Sequence, residues 1–192
     1  RKDIELALSE EQFSLHFQPK VSLVTGEITG AEALVRWIDD HQGAISPARF
    51  IPVAEANGLI SEITASLVPV AIRTLQRLSD NGSGISIALN ASPDDFADKR
   101  IPELLQESMN NAGIAPERLQ IEMTETAKLD EDDAVCKRLH DLSNAGFKLI
   151  MDDFGTGYSS VDLLSRLPFS ALKIDQGVVS RMGRSAKNLN IV

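Results

Sequence analysis

Asp152 and Asp153 stand side by side at the end of an apolar run, Leu149-Ile150-Met151, and a glycine-framed turn, Phe154-Gly155-Thr156-Gly157-Tyr158, follows at once. A buried strand that ends in paired acids and a tight loop is how a barrel or doubly wound enzyme presents metal ligands. Polar groups interrupt other apolar segments in the same way. Glu32 lies within Thr29 to Trp37, and Asn90 closes Ile85-Ser86-Ile87-Ala88-Leu89. Glu122 breaks Leu119-Gln120-Ile121-Glu122-Met123, with Glu125 just beyond, and Lys173 sits within Ala171 to Asp175.

A charge on a buried strand is costly unless it is paired or bound to metal. Three carboxylates and one amide oxygen form a hard, oxygen-only donor set. Such a set suits Mg²⁺ or Mn²⁺ and suits zinc poorly, because the sequence has no Cys/His cluster. The histidines, His16, His41 and His140, are scattered and read as surface or packing residues. Hard cations in a carboxylate cage most often handle phosphate, and two of them can clamp a phosphodiester. Lys173 would then orient or deprotonate the attacking water, or stabilise a charged transition state. Arg36, four residues after Glu32, lies on the same strand face by period-two alternation and offers a planar fork to a phosphate. Each residue also has a plainer reading. Glu32 with Arg36 reads as a salt bridge, Asn90 as a turn residue, and Glu122 and Glu125 as a solvated strand edge. Asp152 and Asp153 read as an ordinary turn, and Lys173 as an exposed strand lysine. One barrel mouth accounts for all of them together.

The elements must bring these residues to one place. The chain has 192 residues, 43% of them hydrophobic, enough for one sizeable folded domain. Its net charge of −9 disfavours a nucleic acid polymer or an anionic membrane as partner, though a metal reverses the sign locally. The single cysteine, Cys136, excludes an intrachain disulfide and reads as a packed small residue. A cytoplasmic setting fits, and neither a signal peptide nor a membrane-length apolar run is seen.

Alternation marks strands near 14–19, 28–37, 85–90, 119–124, 147–152 and 171–175. The short turn at Thr25-Gly26-Glu27 makes the first two an antiparallel hairpin. Helices are expected at Ile4–Leu8, from Ser46-Pro47 to Gly58, and at Ile60–Asn81 with Pro69 as a possible kink. Others follow at Pro102–Asn111, Asp132–Ala145, Val161–Arg166 and Gln176–Met182. After the hairpin, strand and helix alternate, which predicts an α/β fold with a parallel sheet. An open doubly wound sheet and a closed barrel compete. Polar residues at nearly every strand end favour the barrel. A TIM-type (β/α) barrel with an antiparallel first strand is therefore expected, with the C-terminal strands missing from this chain and the segment cut from a longer protein.

These residues, in this order, resemble the EAL domain family of bacterial cyclic di-GMP phosphodiesterases. The signature stands as Glu32-Ala33-Leu34, within Glu32-x-Leu34-x-Arg36, after Gln18-Pro19. Leu89-Asn90-x-Ser92, Glu122-Met123-Thr124-Glu125, Asp152 to Ser160 and Lys173-Ile174-Asp175 follow. The resemblance covers essentially the whole chain. It implies a modified TIM barrel that cuts cyclic di-GMP to linear pGpG with Mg²⁺ or Mn²⁺, two ions in all. It implies Glu32, Asn90, Glu122 and Asp152 as metal ligands, Asp153 at the second metal, and Lys173 as base or water positioner. Glu32, Asp152 and Lys173 form the catalytic set. Gln18, Leu34, Arg36 and, less directly, Asp175 would touch substrate, and Glu125 would pin the loop Phe154–Ser160. It further implies a homodimer through that loop region, and a fused receiver, PAS or GGDEF domain as regulator. Lys20 departs from an apolar residue usual in the family, with no catalytic consequence expected. The family's Glu-Gly-Val-Glu stretch and a later glutamine do not occur in this sequence, so the chain as given is expected to be a poor enzyme and its parent an active one. A catalytically silent cyclic di-GMP receptor or interaction module is the alternative, and an unrelated sugar-phosphate barrel enzyme leaves Asp152 to Ser160 unexplained.

Overall fold

The computed structural model describes residues 1–124, 133–156 and 160–182. Its strands are β1 (Phe13–Val21), β2 (Ile28–Asp39), β3 (Gly43–Ile45), β4 (Ser86–Asn90), β5 (Leu119–Thr124), β6 (Lys148–Phe154) and β7 (Phe169–Ile174). Its helices are α1 (Lys2–Ser9), α2 (Pro47–Ala56), α3 (Ile60–Asp80), α4 (Arg100–Ala112), α5 (Asp133–Asn144), α6 (Ser160–Arg166) and α7 (Gln176–Met182). The sheet runs β1-β2-β4-β5-β6-β7, with β3 added to β2. The β1/β2 hairpin and the β2/β3 pair are antiparallel, and every later pairing is parallel. The expected α/β fold with an antiparallel first pair is thus observed. No ladder joins β1 to β7 among the described residues, so closure is a matter of curl, traced below by side chains.

The local reasons are those of the sequence. Ser46 holds an extended conformation before Pro47 at the first position of α2, and Gly58, at φ 66°, follows its end. The serine hydroxyl makes no capping hydrogen bond, so proline and backbone geometry start this helix. α3 runs through Pro69 as one helix, losing the bond from the missing N–H. Gly113 ends α4 in the left-handed conformation. β3 was not foreseen, because three residues carry no periodic pattern.

Outward residues of the parallel strands, such as Ile87, Leu119, Ile121, Met123 and Leu149, pack on α3, α4 and α5 in one buried core. A second core joins α1, α2 and the start of α3 to Phe13, Trp37 and Phe50, whose rings lie 5.5–5.6 Å apart. Cys136 packs against the first core, as a small apolar residue would. Since outward positions are taken by this packing, the alternate positions Ser86, Ala88 and Asn90 of β4, and Gln120, Glu122 and Thr124 of β5, face inward. No described helix is long and apolar enough to cross a membrane.

Candidate metal centre

Three inward carboxylates converge. One oxygen from each of Glu32 on β2, Glu122 on β5 and Asp152 on β6 lies within 4.8 Å of the others. Glu122 is fully buried, while Glu32 and Asp152 keep a little exposure. Lys173, reaching in from β7, donates to all three: 2.9 Å to Glu32 Oε2, 2.7 Å to Glu122 Oε2 and 2.8 Å to Asp152 Oδ2.

The outer oxygen of each carboxylate is held from behind. Asn90 Nδ2 donates to Glu32 Oε1 at 3.0 Å. The Asp153 backbone N–H donates to Asp152 Oδ1 at 2.8 Å. Lys20 Nζ donates to Glu122 Oε1 at 2.5 Å. Each acid therefore has one oxygen held by Asn90, the Asp153 N–H or Lys20 and the other on the shared ammonium of Lys173, whose place among the three acids a metal ion would contest. This is a fit to a hard divalent ion: oxygen donors only, net negative, pre-aimed. No histidine or cysteine belongs to the cluster. His140 instead meets the Arg166 carbonyl.

Electrostatics follow the same contacts. Burial pulls the Lys173 ammonium down, but hydrogen bonds to Asp152, Glu122 and Glu32 outweigh it and hold its pKa well above the usual lysine value. Burial pushes the Glu32 carboxyl up, yet Asn90 and Lys173 together keep it below the usual glutamate value. Asp153 goes the other way: burial, then the charges of Asp152 and Asp175, raise it.

A bulge explains why the two aspartates part. Met151 pairs with Leu172 and Phe154 with Ile174, so Asp152 and Asp153 together oppose Lys173. Asp153 takes φ 54° there, while Asp152 keeps its inward aim. β6 accordingly runs on to Phe154, past the expected end at residue 152. Asp153 is exposed and stands outside the three-carboxylate cluster, at its edge.

The remaining expected residues divide. Leu34, Arg36, Asn90 and Glu122 line one cavity of about 630 Å³, walled on the far side by α2 and the start of α3. Gln18 is the cross-strand partner of Glu32 and so shares its face. Asp175 accepts from the N–H groups of Gly177 and Val178 at 2.8 and 3.2 Å, capping α7 with one oxygen. Glu125 and residues 157–159 of the Phe154–Ser160 loop lie outside the described residues.

Two features escaped the sequence reading. Lys20 bonds Glu122 in the cluster, a structural place that the expectation of no catalytic consequence did not include. Alternation along β1 was the available signal, since Lys20 lies two residues from Gln18 and therefore on the Glu32 side. Asp95 is buried beside the cavity, bonded through Oδ2 to the Ser92 N–H at 2.9 Å. Its Oδ1 makes no hydrogen bond of ordinary geometry, although Thr64 and Ser61 stand near, and burial raises its pKa.

Residues 1–192 match the EAL domain family. The chain is 37% identical over 191 residues to the bifunctional diguanylate cyclase/cyclic di-GMP phosphodiesterase MucR of Pseudomonas aeruginosa, which spans 99% of this chain and 28% of that protein. It is 35% identical over 191 residues to the cyclic di-GMP phosphodiesterase NbdA of the same organism, over 99% of this chain and 24% of that one. The chain thus spans about a quarter of the length of these curated relatives. Among solved structures, the PaMucR phosphodiesterase in complex with c-di-GMP matches with a TM-score of 0.87 at 36% identity, covering 99% of this chain and 77% of that chain.

Proposed function

The chain belongs to the EAL domain family, and we propose that in its parent protein it hydrolyses cyclic di-GMP to linear pGpG with the help of divalent cations, lowering a bacterial second messenger. The observation that carries this is the convergence of Glu32, Glu122 and Asp152, one oxygen of each within 4.8 Å of the others, around a point where Lys173 Nζ bonds Glu32 Oε2, Glu122 Oε2 and Asp152 Oδ2. The substrate is that named for MucR and NbdA and bound in the PaMucR structure.

Glu32, Glu122 and Asp152, with Asn90 beside them, would hold Mg²⁺ or Mn²⁺, and Asp153 at the edge would serve a second ion. Bound there, two such ions would supply Lewis-acid polarisation of a phosphodiester and would acidify the attacking water. Lys173, kept as an ammonium by three acids, acts as a positioner of water and a stabiliser of developing negative charge rather than as a base in this state. Arg36 offers its fork to a phosphate and Leu34 an apolar wall, both on the cavity. Gln18 reaches the substrate from beside Glu32. Asp175 contributes by fixing the start of α7 next to Lys173. Glu125 retains its proposed role in pinning the loop after Asp153, through which a second copy would pair. A fused receiver, PAS or GGDEF domain as regulator completes the reading; MucR is named a diguanylate cyclase as well as a phosphodiesterase.

The test is pGpG release from the full-length protein with Mg²⁺ or Mn²⁺. Metal-dependent turnover is expected. Tight binding of intact cyclic di-GMP with no turnover at any metal concentration would overturn hydrolysis and leave a receptor.

A further inference from the structure

Glu122 is fully buried and is gripped by two ammonium groups, one on each oxygen. Lys173 takes Oε2, on the side of the other carboxylates. Lys20 takes Oε1, on the opposite side. Of the three groups that pin outer oxygens, Asn90 and the Asp153 N–H are neutral, and Lys20 alone carries a charge.

Lys20 is held for this task. Its Nζ also lies 3.4 Å from Gln120 Oε1, and the Gln120 amide donates to Ser86 Oγ at 2.9 Å. Gly30, the cross-strand partner of Lys20, is where a Cβ would meet the Ser86 carbonyl and hydroxyl at 3.0 Å. Lys20, Gly30, Ser86 and Gln120 therefore form a polar floor beneath the acidic cluster. The floor leaves Lys20 one strong partner, the far side of Glu122.

We propose that Lys20 is a positioning residue that fixes Glu122 with one oxygen towards the cation site and, by its own charge, weakens the hold of that site on divalent cations. The inference rests on the metal reading above. A dication entering the cage takes over oxygens that Lys173 bonds in its absence and must still share Glu122 with the charge of Lys20. Replacing that charge by a neutral donor keeps a hydrogen bond on Glu122 Oε1 and makes the site more negative, so the ion is held more tightly; deleting it outright gives up some positioning for the same electrostatic gain. Such a restraint keeps the site exchangeable and guards against an ion bound too firmly to respond to substrate.

The test is calorimetric titration of Mn²⁺ into the full chain, nucleotide-free, for wild type, Lys20→Met, Lys20→Gln and Lys20→Arg. Lys20→Gln keeps a donor for Glu122 and carries the test if Lys20→Met does not fold. Both neutral variants are expected to bind Mn²⁺ on the order of 10-fold more tightly, and Lys20→Arg about as wild type. A structural lysine would not give that result, because loosening the floor weakens binding. Wild-type affinity or weaker in the neutral variants, with wild type binding normally, overturns the role of Lys20 and leaves the metal reading standing. Failure of wild type itself to bind Mn²⁺ overturns both.

Discussion

Lys173 Nζ lies 2.7 Å from Glu122 Oε2, joining β7 to the middle of the sheet at β5. The same ammonium reaches Glu32 on β2 at 2.9 Å, four places away in the strand order β2-β4-β5-β6-β7. Lys20 on β1 reaches Glu122 from the other end of the sheet. A flat sheet forbids these contacts, since neighbouring strands are about 4.8 Å apart. The two end strands are therefore brought towards each other by curl, and their lysines meet on one buried carboxylate. The fold concentrates charge at its centre.

Lys173→Met removes the shared counterion of three carboxylates. A buried or half-buried acid left without its partner is destabilising by about 3 kcal/mol or more. The raised Lys173 pKa gives the sign. Its contribution is complete below the unfolded lysine value of 10.5 and is lost only as pH rises through the higher folded value. At neutral pH the whole effect is therefore present. Urea unfolding in EDTA should show the loss, and Mg²⁺ or Mn²⁺ should restore more stability to the variant than to wild type. Equal stability of the two proteins in EDTA would contradict the contacts described.

Glu32→Gln keeps shape and removes one anionic donor. Metal-dependent turnover in the full-length protein should fall at least about 100-fold, as expected when an ion that supplies the main electrostatic stabilisation is lost. Mn²⁺ binding should weaken in parallel. The fold should survive, because Asn90 and Lys173 retain their other bonds or find water at this partly exposed site. In wild type the lowered Glu32 pKa contributes stability above the unfolded value of 4.5, which disappears as pH falls through the folded value. Circular dichroism between pH 3 and 6 should show that loss, and Glu32→Gln should show less of it.

How much of this was legible beforehand depends on what each residue obeys. Glu32, Glu122 and Asp152 were readable because a polar residue at an inward position breaks an apolar strand, which is a local pattern. The hairpin and the strand–helix alternation were readable for the same reason. Alternation put Lys20 on the Glu32 face, but its contact with Glu122 was not readable, because it spans the interior and depends on curl, which no window of sequence contains. β3 was too short to carry a period. The end of β6 was misplaced because Asp152-Asp153 resembles a strand end, whereas a bulge carries the strand through it. That bulge also sends Asp153 to the edge, so two adjacent and similar acids acquire different surroundings.

Asp153→Asn tests that difference. Burial, then Asp152 and Asp175, raise the Asp153 pKa, so its charge opposes folding. A folded pKa above the unfolded 3.8 means the penalty is absent at low pH, grows as pH rises from 3.8 towards the folded value, and is complete above it. Asparagine removes the charge and accepts φ 54° at least as well as aspartate. At pH 7 without metal the variant should be more stable, by under about 1 kcal/mol at this exposed position, or about 2 °C in Tm. The gain should vanish near pH 3. Divalent binding should weaken at the same time, since the anion that opposes folding is the one offered to the second ion. A variant less stable than wild type at pH 7 would show that the charge has a compensating partner.

Gly30→Ala tests the floor by shape alone. The added Cβ would stand 3.0 Å from the Ser86 backbone oxygen and from its hydroxyl. The hydroxyl can turn, but the carbonyl belongs to β4, which pairs with β2 at this register. Relief requires a shift of one strand against the other, at about 1–3 kcal/mol, the usual range for overpacking. Urea unfolding measures it. The neighbouring Ser86→Ala change deletes the hydroxyl and leaves the carbonyl, so it should restore only part of the loss in the double variant. Full restoration would place the clash on the side chain, and Gly30 would then serve the floor through Ser86 Oγ alone.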